Sequence, residues 1–163
     1  MSKINFNKGN ILDVTSGIIV HGCNAQGVMG SGVAKQLREK YPEMYAKYKS
    51  DITSVFDTSE SVGAVSWYSL TPGKPFLIAS GITQEFYGRD ISVKYVSYDA
   101  VHSVFMKVFN HALFHNLTVH IPDLIGCGLG GGNRDVVLAI IEDTAVRCGF
   151  PLNHISIWEF DGK

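Results

Sequence analysis

The residues best suited to chemistry lie together in one stretch, "VHGCNAQGVMGSGVAKQLREKYP", at residues 20–42. Within it, His21 is a side chain that can exchange a proton near neutral pH. Cys23 carries a thiol that becomes nucleophilic when it ionises. Asn24 and Gln26 each carry donor and acceptor atoms that suit sugar hydroxyl groups. These residue types indicate either a catalytic site or a site for a polar small molecule.

The same stretch is rich in glycine where a predicted strand meets a predicted helix. Gly27, Gly30 and Gly32 permit positive φ angles and close approach of a ligand. A helix that begins near Ser31 presents unpaired backbone N–H groups and the positive end of its dipole. These features indicate an anion site, although a tight strand-to-helix turn explains the glycines equally well. The spacing matches neither a Walker loop nor a GxGxxG fingerprint.

A second glycine-rich stretch, "IPDLIGCGLGGGNRD" at residues 121–135, also lies between a predicted strand and a predicted helix. Five of the seven residues 126–132 are glycine, and no turn requires so many, because each glycine costs conformational entropy when it is ordered. Two such loops are interpreted as two walls around an extended polyanion, such as a diphosphate flanked by sugars. Asn10, in "KGNIL", is interpreted as a reader of a base edge or, more simply, as a turn or helix cap.

The elements that must position these loops alternate between strands and helices. Strands are predicted at residues 3–6, 16–23, 64–70, 75–83, 117–124 and 154–160, with the third and fourth forming a hairpin. Helices are predicted from Ser31 to near Pro42 and at residues 43–50, 97–116 and 134–148. This order predicts the α/β class, as a three-layer α/β/α sandwich with a mixed, mostly parallel central sheet. In such sheets ligands bind outside the carboxyl ends of the strands.

Apolar periodicity predicts which faces of these elements are buried. If the second strand alternates, Ile19, His21 and Cys23 share one face. Ser97 is a candidate N-cap for the third helix, and Gly149 is a candidate end for the fourth. The predicted inward-facing residues are Val101, Val104, Phe105, Val108, Ala112 and Leu113 on the third helix, and Val136, Ile140, Ile141 and Ala145 on the fourth.

Composition restricts the class of protein. The 163 residues are 45% hydrophobic, which suits one domain over residues 1–163 with a full core. The net charge of −1 provides no basic field for extended nucleic acid. No apolar run is long enough for a membrane helix, and "MSKINFNKGN" is too polar for a signal peptide. Three cysteines without CxxC spacing predict reduced thiols in a cytoplasmic protein, and the scattered histidines predict no metal site. We also expect no cofactor and a monomer.

Four stretches together resemble the macrodomain family: "KGNIL", "IIVHGCNAQGVMGSGVAKQLREKYP", "ITQEFYGRD" followed by "YVSYDAV", and "IPDLIGCGLGGGNRDVVLAII". The resemblance covers nearly the whole chain in order. It is strongest to the branch that contains ADP-ribose 1″-phosphate phosphatases, ADP-ribosyl-glutamate hydrolases and short phage proteins. It implies a single macrodomain that binds ADP-ribose or ADP-ribose 1″-phosphate.

The resemblance also implies roles for individual residues. Asn10 would read the adenine amino group, and Asn24 would hold the distal ribose. Residues 27–33 would wrap the distal ribose and diphosphate, and residues 126–131 would cover the diphosphate from the other side. Trp158 or Phe160 would stack on adenine, although core packing also explains both. The implied binding residues are Asn10, Ile11, Asn24, Gly27, Met29, Gly30, Ser31, Gly32, Val33, Ile125, Gly126, Cys127, Gly128, Leu129, Gly130, Gly131 and Phe160.

Phosphatase activity would need a positioned water and a proton shuttle. His21 is the first candidate for the shuttle, because phosphatase-type relatives carry a histidine in a similar "H-x-C-N" setting, and Asn24 would orient the ribose. The glutamate-linked hydrolases use a middle-strand lysine and an aspartate directly after "GCGL". Here "LIASGIT" has no lysine, and Gly130 follows "GCGL". Asn133 replaces the aspartate of the "GGDW" found in many relatives, so Asp135 is a candidate substitute, or else a first-turn acid that favours the helix dipole.

Three functions therefore stay open at the level of sequence. The leading one is a phosphatase that acts on ADP-ribose 1″-phosphate. The others are a non-catalytic module that binds ADP-ribose and a hydrolase that removes ADP-ribose from protein or nucleic acid. Cys23 and Cys127 are possible nucleophiles, but no motif supplies an orienting third group, and both are better interpreted as small buried residues. Arg134 would reach a terminal phosphate or lie exposed. Residues 83–89 are predicted to form a loop near the mouth of the pocket.

Overall fold

A computed structural model describes residues 2–54, 61–90, 92–123, 125 and 130–160. Its described strands form one sheet in the order β1-β6-β5-β2-β4-β3. Neighbouring strands run parallel, except that β3 and β4 are antiparallel. The strands are β1 Asn5–Lys8, β2 Gly17–Asn24, β3 Val65–Ser69, β4 Phe76–Gln84, β5 Val119–Pro122 and β6 Ile155–Glu159. The predicted mixed, mostly parallel sheet and its β3–β4 hairpin are confirmed.

Helices cover both faces of the sheet. They are α1 Gly32–Lys40, α2 Pro42–Ser54, α3 Tyr98–His115 and α4 Arg134–Cys148. One core lies between the sheet and α3 and α4, and a second lies between the sheet and α1 and α2. The predicted three-layer α/β/α sandwich is therefore confirmed.

Strand β2 is buried on both faces, and its side chains alternate between the two cores. Ile18 and Val20 face the core of α3 and α4, whereas Ile19 and Cys23 face the core of α1 and α2. His21 lies on the same side as Cys23, with 3.5 Å between the histidine Nδ1 and the cysteine Sγ. The predicted shared face is confirmed, because successive side chains of a strand point to opposite sides.

The helix ends follow the predicted capping residues. The Ser97 hydroxyl accepts a hydrogen bond from the Ala100 amide at 3.2 Å, so this serine caps α3. Gly149 ends α4 in the left-handed region with φ of 72°.

Two residues expected to face inward lie on the surface instead. Leu113 is 46% exposed and Val136 is 40% exposed, while Val137 is buried. Since each helical residue turns by about 100°, Leu113 lies about 80° from Phe105 and Val136 about 140° from Ile141, so both fall outside the buried stripes of their helices.

No helix in the described part of the chain is both long enough and apolar enough to cross a bilayer. The expectations of a single domain over residues 1–163 and of a monomer stay predictions.

Candidate functional site

Three neighbouring strands end at one edge of the sheet and open into a cavity, here called the cleft. Its volume of about 810 Å³ suits a ligand of nucleotide size. Its position outside the carboxyl ends of the strands is the usual one for ligands of α/β sheets. The described residues that line it are His21, Gly22, Cys23, Asn24, Val28, Met29, Gly30, Ser31, Gly32, Val33, Ala34, Thr83, Gln84, Tyr87, Gly88, Arg89, Pro122, Asp123, Ile125 and Gly130.

The start of α1 faces the cleft without a side-chain cap. Ser31 occupies the N-cap position, but its hydroxyl makes no capping hydrogen bond. Ser31, Gly32, Val33 and Ala34 all line the cleft. Starts of this kind leave backbone N–H groups free and carry the positive end of the helix dipole. The start of α1 is therefore suited to an anion, and the anion site expected at the first glycine loop stays a prediction.

Gly32 and Gly131 have backbone conformations that favour glycine. Gly32 has φ of 61°, which turns the chain into α1. Gly131 has φ of 77°, and a Cβ atom there would lie 2.8 Å from the carbonyl oxygen of Val93. The neighbouring Gly130 carbonyl accepts hydrogen bonds from the Tyr95 and Val96 amides at 2.8 and 2.9 Å. The described part of the second loop is therefore fastened to the segment after β4.

His21 is buried at the edge of the cleft, and its side chain is only 1% exposed. Its Nε2 atom lies 2.7 Å from the Ser80 hydroxyl oxygen. Burial lowers the pKa of His21 from 6.5 to about 4, because desolvation penalises the charged imidazolium. At neutral pH the ring is therefore uncharged, and the described contacts hold it within the core.

Asn24 organises the first loop through its side chain. Its Oδ1 accepts hydrogen bonds from the Gln26 and Val28 amides at 3.0 and 3.3 Å, and its Nδ2 donates to the Val28 carbonyl at 2.7 Å. The Tyr48 hydroxyl donates to the Asn24 carbonyl oxygen. Asn24 borders the cleft as predicted, but most of its hydrogen-bonding capacity is used within the protein.

The predicted acid Asp135 is exposed and is not among the described residues that line the cleft. Asn133 caps α4, because its Oδ1 accepts from the Asp135 and Val136 amides at 2.9 and 3.2 Å. The carboxylate at the cleft is Asp123, which Arg134 contacts at 3.0 Å from its Nε. Asp135 lies in the first turn of α4, as expected for an acid that favours the helix dipole.

Several other predicted ligand residues are not among the described residues that line the cleft. Asn10 caps a short 3₁₀ turn by accepting from the Leu12 amide at 3.0 Å, as its simpler interpretation required. Trp158 packs against the α1–α2 core and donates to His120. Ile11, Gly27, Gly131 and Phe160 are also absent from the described cleft lining. Gly126, Cys127, Gly128 and Leu129 lie outside the described residues.

The described cysteines are free, but neither is set up as a nucleophile. Cys23 is buried, and burial raises the pKa of its thiol, so the thiol stays protonated. Cys148 is half-buried on α4, and burial raises its pKa as well. Among the described residues, no group of three or more histidine, cysteine, aspartate or glutamate side chains could hold a metal ion.

Among the lining side chains without an assigned role in the sequence interpretation are Thr83, Tyr87, Arg89 and Asp123. Thr83, Tyr87 and Arg89 belong to the stretch predicted as a loop near the pocket mouth. Tyr87 and Arg89 follow β4 and line the cleft, whereas Thr83 is a buried residue of β4, so the loop prediction is wrong for Thr83. Asp123 lies near the carboxyl end of the strand predicted at residues 117–124 and directly follows β5, so this position was a signal that could have identified it.

Known proteins match either a short segment or most of this chain. No protein-family model matches it. It is 40% identical over 50 residues to an ADP-ribose 1″-phosphate phosphatase of Neosartorya fischeri, which is 30% of this chain and 25% of that protein. It is 27% identical over 126 residues to a 17.5 kDa protein of Enterobacteria phage T4, covering 76% of this chain and 77% of the relative. The match to the phosphatase thus spans about a quarter of that relative's length.

Solved structures align with nearly the whole chain. A protein of Bacteroides thetaiotaomicron has a TM-score of 0.81 at 25% identity, covering 96% of this chain and 99% of that one. A macrodomain protein of Streptomyces coelicolor has a TM-score of 0.75 at 25% identity, covering 96% and 98%. Thermosipho africanus DarTG, in complex with ADP-ribose, has a TM-score of 0.74 at 16% identity, covering 98% and 42%, and this likeness concerns the fold. The predicted resemblance is confirmed, and the chain has the macrodomain fold.

Proposed function

We propose that this chain binds ADP-ribose in the cleft and hydrolyses the terminal phosphate of ADP-ribose 1″-phosphate. The observation that carries the binding proposal is the uncapped start of α1, which faces a cleft large enough for a nucleotide. Free N–H groups at a helix start stabilise an anion such as a diphosphate. The phosphatase proposal depends on the partial match to proteins named for that activity.

In the proposed complex, the diphosphate lies against the start of α1 and the distal ribose lies near Asn24. Nδ2 of Asn24 makes one described hydrogen bond, to the Val28 carbonyl, so its second N–H is available to a sugar oxygen. In hydrolysis, a water oxygen bonds to phosphorus, the bond from phosphorus to the ribose oxygen breaks, and that oxygen takes a proton. His21, Asn24 and Asp135 stay the proposed catalytic residues.

A non-catalytic binding module is the second candidate, and the state of the acids and bases favours it. His21 is buried and uncharged at neutral pH. Asp123 is paired with Arg134. Asp135 is outside the described cleft lining. Among the described lining residues, none is therefore an unpaired carboxylate or a protonated imidazole at neutral pH.

Two measurements on the purified chain separate these candidates. Calorimetry with ADP-ribose tests binding, and phosphate release from ADP-ribose 1″-phosphate tests hydrolysis. Binding together with phosphate release supports the phosphatase. Binding without release leaves the binding module and rejects the enzyme.

The anion site is tested by Ser31→Asp, with Ser31→Asn as its matched control. Both side chains can cap α1, but only the aspartate adds a negative charge beside the proposed diphosphate. Because like charges a few ångströms apart repel strongly at a partly buried site, Ser31→Asp should weaken ADP-ribose binding at least about tenfold more than Ser31→Asn. Equal affinities for the two variants would place the diphosphate elsewhere.

A further inference from the structure

The hydroxyl of Thr83 is the buried side-chain polar atom for which the described residues provide no hydrogen-bond partner. Thr83 is 1% exposed and lines the cleft near the carboxyl end of β4. Buried polar groups are nearly always paired, and an unpaired one costs stability. An exception beside a ligand cleft therefore suggests that the partner is the ligand.

The surroundings of this hydroxyl place it at the floor of the cleft. A Cβ atom on Gly22 would lie 3.0 Å from the Thr83 Oγ1 and 3.6 Å from the Ile125 side chain. Gly22 and Ile125 both line the cleft. Because position 22 has no side chain, the buried hydroxyl is not crowded from that position, and the Ile125 side chain lies close by.

The backbone holds Thr83 firmly in place. Its carbonyl oxygen accepts a hydrogen bond from the Ser97 amide at 2.8 Å. β4 pairs with β2 and β3 up to Gly81, and Thr83 itself falls at the irregularity between the Ile82–Cys23 and Gln84–Asn24 pairs. A hydroxyl on such a rigid element loses little conformational entropy when it binds a ligand.

We propose that the Thr83 hydroxyl forms a hydrogen bond with an oxygen of the bound ligand, for which the neighbouring side chain of Ile125 moves aside. This inference rests on the proposed binding of ADP-ribose. Thr83 is then a binding residue that contributes to ligand affinity, while its hydroxyl contributes no described hydrogen bond to folding.

The test compares ADP-ribose affinity and thermal stability in Thr83→Val and Thr83→Ser. Valine keeps the size of threonine and removes the hydroxyl, so ADP-ribose binding should weaken about tenfold, the loss expected for one hydrogen bond at a desolvated site. Its melting temperature should stay unchanged or rise, because no internal hydrogen bond is lost. Serine keeps the hydroxyl and should retain affinity close to that of the wild type.

Thr144→Val is the matched control. Thr144 is also fully buried, but its hydroxyl lies 3.2 Å from Nδ1 of His102, far from the cleft lining. This variant should lose thermal stability and keep the affinity of the wild type, the opposite pattern to Thr83→Val.

The outcomes separate this inference from the proposed function. If the wild type binds ADP-ribose and Thr83→Val binds it with the same affinity, the role of Thr83 alone is overturned. A clear fall in the melting temperature of Thr83→Val would also overturn that role. Absence of ADP-ribose binding in the wild type would overturn both proposals. If Thr83→Val does not fold, Thr83→Ala also lacks the hydroxyl, and wild-type affinity in that variant would overturn the inference.

Discussion

His21 illustrates how burial changes the chemistry available to a single side chain. The residue type suits proton transfer near pH 7. In this protein, desolvation lowers its pKa to about 4, and its ring contacts Ser80 and Cys23 within the core. A role as proton shuttle would require the ring to move towards the cleft or to act with a pKa far below neutral.

The first prediction concerns the pH dependence of stability. As the pH falls from 6.5 to 4, His21 takes up a proton in the unfolded state but not in the folded state, so the free energy of unfolding should fall by about 3 kcal/mol. Burial also lowers the pKa of His111 and His120, which add to the loss in the same direction. Denaturant unfolding of wild type and His21→Asn at pH 7 and pH 4.5 measures the His21 contribution.

The loss of stability on acidification should be smaller in His21→Asn than in the wild type. An NMR titration of the His21 ring gives an independent measurement, and a pKa near 6.5 would contradict the prediction. If His21 is nevertheless the shuttle, the rate of phosphate release should show no histidine titration between pH 6 and 8.

The second prediction concerns Asn24. Asn24→Ala removes the acceptor of the Gln26 and Val28 amides, so it should lower the free energy of unfolding by about 2 kcal/mol in addition to weakening ADP-ribose binding. Thermal denaturation and calorimetry on the same sample measure both effects. Weaker binding at unchanged stability would mean that Asn24 acts only as a ligand contact.

At the scale of elements, the helix starts differ in what satisfies their backbone N–H groups. Side chains of Ser97 and Asn133 cap α3 and α4, whereas α1 has no side-chain cap and faces the cleft. A capped start is stabilised by its own chain, and an uncapped start retains donors for an anion. The sheet provides the positions, because β2, β4 and β5 end side by side.

The third prediction compares two of these starts. Asn133→Ala should lower the free energy of unfolding by about 1 kcal/mol, because it removes the cap of α4. Ser31→Ala should change it by less than about 0.5 kcal/mol, because the Ser31 hydroxyl makes no capping hydrogen bond. Urea denaturation of both variants provides the measurement, and equal losses would refute the difference between the two helix starts.

At the scale of the whole molecule, acidic and basic side chains nearly balance, so attraction of an anion depends on the charges and backbone N–H groups at the cleft itself. The net charge is −1. Among the described lining residues, Arg89 is the one lysine or arginine, and Asp123 is neutralised by Arg134. Arg89 has no ion pair among the described residues. It is therefore placed to interact with a phosphate of the proposed ligand.

The fourth prediction follows from this distribution. Arg89→Gln should weaken ADP-ribose binding about fivefold at low ionic strength, and the effect should shrink at about 0.5 M salt, where exposed charges are screened. Calorimetry at two salt concentrations measures it. Arg147→Gln is the control, because Arg147 pairs with Asp143 on the exposed face of α4, and an equal effect there would exclude a local role for Arg89.

The sequence by itself determined the order of strands and helices, the hairpin, the capping residues Ser97 and Gly149, and the two glycine loops at one edge of the sheet. These features depend on local periodicity and backbone conformation, which neighbouring residues encode. The same local information indicated the first loop and the start of α1, which line the cleft.

Only the tertiary structure decided which polar side chains are free to act. It buried His21 against Ser80, used Asn24 and Asn133 within the fold, left Asp135 outside the described cleft lining, and brought Thr83, Arg89 and Asp123 to the cleft. Burial and hydrogen-bond partners arise between residues far apart in the chain, such as His21 and Ser80. Residue type and spacing therefore identified where the site lies, and long-range packing determined its chemistry.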